Sequence, residues 1–282
     1  MKKLNLLVSL IALFLCVGFV SCGDDDDNNA ENAGTGTVFP EGTKKIASIG
    51  SGSDAVIFTY NDGKLVSVRE DSRSIYKLVY SGSKVTVTYE YTSSSSNDSE
   101  TMVYTMNIGS NGFVTGGTAV ETDVYQGKTD VTNYSYSFSY KDNYVTVMEA
   151  NSTDNIGGMS SSNINLTWDN KGNLVRCVST YEDNEDGHIH KDTETYTATY
   201  GTESNVAGLS FFDEVGDFDE MEYLYYAGLL GKSTSNLLKS VTDVSSDSPS
   251  GSDVTNYTYT FDDNKYPTAM IENGYAVTFT YK

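Results

Sequence analysis

The chain has 282 residues, with 18 basic and 39 acidic side chains, 22 Tyr, 11 Phe, 1 Trp and only 3 Pro, and a formal net charge of −21. That acidic excess speaks against nucleic acid, whose binding rests on Lys and Arg neutralising phosphates. The aromatic content excludes disorder for most of the chain, and the length suits one large all-β domain.

The first element is a leader. Met1, Lys2 and Lys3 make a charged start, and Leu4 to Val20 is apolar or small apart from Asn5 and Ser9. This is the layout of a secretory signal, too short and wrongly flanked to be kept as a spanning helix. Phe19, Val20, Ser21 and Cys22 follow and resemble a lipoprotein box, with Phe19 where many boxes carry Leu. The resemblance implies removal of residues 1–21 and acylation of Cys22. Several acyl chains, at about 0.8 kcal/mol per buried methylene, give a stable anchor.

Gly23 and Asp24, Asp25, Asp26, Asp27 come next. A cysteine, a small residue and an acidic run resemble the export signal of surface lipoproteins in Bacteroidota, which implies an outer-membrane anchor with the body facing outward. Four adjacent carboxylates also repel one another into a solvated tether, which Asn, Gly and Thr extend to Gly42. Cys16 leaves with the leader and Cys22 takes lipid, so Cys177 is the one remaining thiol and no internal disulfide is expected. Without Lys2 and Lys3 the mature chain is more acidic still and is not drawn to anionic lipid. Its membrane partner is the anchor alone.

Residues 43–282 form the predicted single domain. Val56, Phe58 and Tyr60 alternate with Ile57 and Thr59; Tyr134, Tyr136, Phe138 and Tyr140 with Ser135, Ser137 and Ser139; Tyr257, Tyr259 and Phe261 with Thr258 and Thr260. Successive strand side chains face opposite sides, so each run makes one aromatic and one hydroxyl face. Asp62-Gly63, Ser81-Gly82, Asn111-Gly112, Lys171-Gly172 and Asn273-Gly274 mark tight turns between such runs.

A degenerate unit recurs: a strand ending in an aromatic, an Asx-rich turn, and a strand restarting on an apolar residue. Copies are Phe58 to Val68, Phe138 to Val145, Leu166 to Cys177 and Tyr259 to Pro267. The unit resembles the tyrosine-aspartate repeats of large bacterial surface proteins, although the irregular spacing makes a hairpin array and not a fixed-period solenoid.

One segment departs from this pattern. Asp217 and Glu220 make a capping box, and Phe218, Met221, Leu224 and Tyr225 recur at helical spacing up to Gly231. A helix of about three turns across an open sheet end is expected. This helix, its exit Tyr226-Ala227-Gly228-Leu229-Leu230-Gly231-Lys232, the lipoprotein box and the Asn-Asp-Gly-Lys-Leu turns together resemble a family of Bacteroidales lipoproteins of unknown function. That resemblance implies a porin-like fold and carries over no catalytic residue.

Four motifs invite chemical readings. Gly231-Lys232-Ser233-Thr234 lacks the upstream glycine and the strand-then-helix context of a phosphate loop. His188 and His190 alternate with Asp186 and Asp192 on one hairpin face, yet further committed metal ligands are not identifiable. Glu182, Asn184 and Asp186 precede Gly187 as in a calcium loop, but Thr193 stands where that loop needs a bidentate Glu. Cys177 lies among Leu174, Val175 and Val178 and reads as a buried small hydrophobe. Neither metal nor cofactor is expected.

The expected fold is therefore all-β: a long, curved antiparallel meander of about fifteen strands, an open or incompletely closed barrel, with one short helix. Spanning strands alternate too, but Lys84 to Thr92 and Thr193 to Tyr200 carry Thr, Glu and Lys among their rings, against a lipid-facing band. The leading expectation is an outer-membrane-anchored, non-enzymatic surface lipoprotein with a binding role, towards glycan or protein, or a structural role. The alternative is a polysaccharide hydrolase using paired carboxylates, which sequence cannot pair.

Overall fold

A computed structural model describes residues 43–94, 96–185, 188–215, 221–246 and 252–282. The leader, the tether, Cys22, Asp186, Gly187 and the capping-box residues Asp217 to Glu220 lie outside the described residues.

Sixteen strands run in chain order: β1 (Ile46–Ile49), β2 (Val56–Asn61), β3 (Lys64–Arg69), β4 (Ser74–Ser81), β5 (Lys84–Thr92), β6 (Ser99–Ile108), β7 (Val114–Tyr125), β8 (Lys128–Lys141), β9 (Tyr144–Asp154), β10 (Met159–Trp168), β11 (Leu174–Glu185), β12 (His188–Ser204), β13 (Asn236–Ser245), β14 (Asp253–Phe261), β15 (Pro267–Glu272) and β16 (Tyr275–Tyr281). Each pairs antiparallel with its neighbours in sequence, and β1 pairs with β16, Ile46 opposite Tyr281, to close a barrel. The Lys45 and Lys282 backbones exchange hydrogen bonds of 3.0 and 2.9 Å at this closure. The all-β meander holds, and the sheet closes completely, which leaves no edge strand to be capped.

All five predicted turn pairs join consecutive strands. Asp62-Gly63 and Asn273-Gly274 take positive φ at both residues, 47° and 79° and then 45° and 91°, as two-residue hairpins with right-handed strand twist require. Because the strands alternate in direction, the turns fall on two rims. The turns after β2, β8, β10 and β14, which are the four copies of the recurring unit, all lie on one rim. We call this the stopper rim, because residues 205–215 and 221–235, between β12 and β13, leave it and enter the barrel.

The stopper crosses the lumen. Tyr226 packs edge-on against Phe58 of β2 at 4.9 Å, and Phe212 against Trp168 of β10 at 6.4 Å, half the circumference away. The Val114 amide donates to the Leu229 carbonyl at 2.9 Å, tying the stopper to β7 as well. Leu209, Phe211, Phe212, Leu224, Tyr225, Leu229 and Leu230 are all buried in one core with the inward rings of the strands.

The helix differs from expectation in length, place and stop. It spans Glu222–Tyr226, and Tyr223, Leu224, Tyr225 and Tyr226 are all buried, so it lies inside the barrel and not across a sheet end. It ends at Gly228 (φ 78°), not Gly231. The Gly228 amide donates to the Tyr225 carbonyl and the Leu229 amide to the Leu224 carbonyl, both at 2.8 Å, which satisfies the last helical acceptors. An amphipathic surface helix would keep a wet face; here the barrel supplies apolar neighbours all round.

Along several strands the wall sorts by polarity, although Ile57, Val79, Val103 and Val120 are also exposed. Along β8, Tyr136 and Phe138 are buried, whereas Ser135, Ser137 and Ser139 are exposed. The aromatic ladders therefore face inward onto the stopper, and the hydroxyl ladders face out. Thr59, Lys77, Thr118, Thr197, Thr199 and Thr258 continue the polar exterior on other strands.

Candidate functional site

The rings at the stopper rim are fixed by a repeated device. Tyr80 at the end of β4 donates its hydroxyl to the carbonyl of Leu65, where β3 starts, at 2.9 Å. Tyr140 does the same to Val114 at 2.8 Å, Trp168 Nε1 to Val145 at 2.7 Å, Tyr200 to Leu174 at 2.7 Å and Tyr281 to Pro267 at 2.7 Å. In each case the last aromatic of a strand reaches back to the first or second residue of the strand before it. Two of the five, Tyr140 and Trp168, are the aromatics before the turn in copies of the recurring unit. Lysines cap several rim rings: Lys45 and Lys282 both lie over Tyr60, at 4.9 and 4.7 Å.

Strands joined by turns on the other rim part towards the stopper rim, as β3 and β4 do beyond Ser67 opposite Lys77 and β9 and β10 beyond Val147 opposite Asn165, and one such parting opens a hollow. β13 and β14 pair only from Ser240 opposite Asn256 to Asp243 opposite Asp253, near their connecting turn, and part towards the stopper rim. On the other side of β13 the register slips: Tyr200 faces Leu238, but the next pair is Ser204 with Asn236, so Gly201, Thr202 and Glu203 bulge. The two irregularities open a seam, with a hollow of about 460 Å³ lined by Tyr200, Tyr257, Tyr259, Phe261, Leu237 and Leu238, and by Glu203 and Lys239 at its mouth.

Hydrogen bonds hold two of its rings. Tyr200 is tied to Leu174, and the Tyr257 hydroxyl donates to Glu214 of the stopper. Burial pushes the Glu214 carboxyl above the usual range; the Tyr257 hydrogen bond pulls it back in part, and the nearby Glu272 charge pushes it further up. The Tyr259 hydroxyl, beside the Leu238 amide, is buried with no acceptor for its proton. A second hollow of about 330 Å³, on the outer wall, is polar throughout, with Glu149, Asn163, Glu182 and Lys191 among its lining.

The far rim is acidic on its inner face. Tyr91, Glu100, Asp123 and Asp130 stand opposite one another on β5 to β8 and so share that face. Burial raises the Asp123 carboxyl, and the Asp130 and Asp98 charges add to the rise. Glu70 is raised by burial and then by Asp71.

His188, His190 and Asp192 alternate along β12, with His190 opposite Asp183. Among the described residues no three His, Cys, Asp or Glu side chains form a metal-holding group. Glu182 and Asn184 belong to β11 and pair with Lys191 and Ile189, so they make no calcium loop. Lys191 instead bridges to Glu182 at 3.3 Å. Cys177 is fully buried between Leu166 and Tyr196 and is in no disulfide. Gly231 to Thr234 is the stopper's exit; the Lys232 amide donates to the Asn143 carbonyl at 2.8 Å and its ammonium lies over Tyr144. The seam itself has no sequence motif; its one trace is the irregular Tyr200-Gly201-Thr202-Glu203 at the end of an otherwise alternating strand.

No curated protein matches the chain. A porin-like protein from Bacteroides vulgatus ATCC 8482 shares its fold with a TM-score of 0.59 and 12% identity, over 85% of this chain and 99% of that one. A porin-like protein from Bacteroides uniformis ATCC 8492 gives 0.55 and 18%, over 87% and 99%. A family model matches residues 57–269, from β2 into β15, and the chain belongs to that family, the domain of unknown function with porin-like fold, DUF4595.

Proposed function

We propose that this chain is a non-enzymatic surface lipoprotein: a stoppered, water-soluble barrel held at the outer membrane by acylated Cys22, displaying a binding surface and conducting nothing. The observation that carries this reading is the polarity of the wall. A barrel that spans lipid needs an outward apolar band about 25 Å tall and a polar lumen. Here Ser135, Ser137 and Ser139 point out while Tyr136 and Phe138 point in, and the stopper fills the lumen with Leu224, Leu229 and Leu230. A wall that turns these hydroxyls outward is poorly matched to a bilayer, so the attachment falls to the lipoprotein box. The tether joins β1 on the stopper rim, and the body then hangs by that rim.

The test is mass spectrometry of the mature protein from intact cells together with protease shaving. The expected result is a triacylated or diacylated Cys22 and a body cut by external protease. A Cys22→Ser chain that stays with the outer membrane, or an unmodified amino terminus, contradicts the proposal.

A further inference from the structure

The geometry points to the β13–β14 seam as a binding site for a neutral saccharide, one or two pyranose rings seated among Tyr200, Tyr257, Tyr259 and Phe261; this rests on the reading of the chain as a binding lipoprotein. About 460 Å³ lies within the range of small-molecule sites, about 300 to 1,000 Å³. Most inward rings are sealed against the stopper, but Phe261 is 38% exposed, so the seam offers an aromatic face to solvent. Tyr259 and Phe261 lie 6.4 Å apart with planes 36° from parallel, a splayed pair onto which the C–H face of a pyranose can lay.

The polar groups suit hydroxyls and not ions. Glu203 and Lys239 carry opposite charge at the mouth, so the site selects neither sign, and the overall charge of −21 disfavours anions further. The Glu203 carboxylate folds back over Gly201, where its Oε2 takes the place a side chain there would occupy. It thereby presents an acceptor to the hollow, as Lys239 presents donors. Two of the four rings are fixed in advance by Leu174 and Glu214, which lowers the ordering cost of binding.

The experiment is saturation-transfer NMR on the full acylated chain in a non-glycosidic detergent, with cellobiose, maltose, mannobiose, galactobiose and chitobiose as probes. Saturation is expected to pass to at least one disaccharide. Phe261→Ala weakens that binding about tenfold, while Tyr259→Phe, which keeps its ring and loses only a buried hydroxyl, leaves it within about twofold, with circular dichroism unchanged in both. Transfer to none of the five, or binding that Phe261→Ala leaves untouched, overturns the assignment. The two readings fail separately. An acylated, protease-accessible chain that binds no disaccharide sinks the saccharide site alone; a chain that binds one but carries no acyl group sinks the anchor alone.

Discussion

Tyr223 of the stopper stacks on Tyr76 of β4 with ring centroids 4.7 Å apart and planes 29° from parallel, and it also meets Tyr104 of β6 at 5.8 Å. A single ring from the stopper thus joins two strands of the wall. Tyr223→Ala removes both contacts and leaves a cavity, at a cost of roughly 3 to 5 kcal/mol. For a domain of this size that lowers the melting temperature by roughly 6 to 15 °C. Ser137→Ala, on the outer wall, stays within about 0.5 kcal/mol of wild type. Thermal unfolding followed by circular dichroism checks the contrast, and equal effects would mean the stopper is not packed as described.

The rim ties make a prediction about additivity. Tyr80→Phe and Tyr200→Phe each remove one hydroxyl-to-carbonyl bond, at about 1 kcal/mol apiece. The two lie on β4 and β12, half the barrel apart, so the double variant loses the sum of the two within about 0.5 kcal/mol. Urea denaturation of the three variants measures this.

Gly117 of β7 sits where a Cβ would lie 2.3 Å from the Thr105 carbonyl and 2.9 Å from the Met106 Cα. Both are backbone atoms of β6 and cannot swing aside, so Gly117→Ala forces the strands apart at a cost of about 1 to 3 kcal/mol. A melting temperature equal to wild type would show that β6 and β7 lie farther apart than described.

Glu214 makes stability depend on pH. Its folded pKa lies above the ordinary 4.5, so between those values the folded chain holds a proton that the unfolded chain has released. Its contribution is full below about pH 4.5 and is lost as the pH rises through the folded value. Glu214→Gln still accepts the Tyr257 hydrogen but never ionises. The stability of the variant relative to wild type is expected to grow from pH 4 to pH 8 in paired melts, and a constant difference would contradict the burial of this carboxyl.

Much of this fold is legible in the sequence because period-2 patterning and turn chemistry are local. The alternation over Tyr134 to Tyr140 and the Asp62-Gly63 turn each specify their own structure. Closure is not local: Ile46 meets Tyr281 across the whole domain, and nothing in either strand names its partner. The helix shows the same limit. Its spacing announces a helix, but a sequence period cannot tell an apolar stripe on a surface from a segment wrapped by a barrel, and Gly228 and Gly231 look alike until the Leu229-to-Leu224 bond distinguishes them. Tyr140 and Trp168 are visible before their turns in the recurring unit, while the carbonyls they bind lie on the neighbouring strand, so their purpose is not. The seam is the least legible feature, because it arises where pairing stops and not from any residue pattern.

The face that meets water is the point on which the whole reading turns. A spin label at Ser137→Cys, on the outer wall of β8, reports it directly by power saturation in native outer-membrane vesicles. The account predicts strong relaxation by a water-soluble nickel chelate and weak relaxation by oxygen. The reverse order, oxygen dominating at Ser137, would place the hydroxyl ladder in lipid and contradict it.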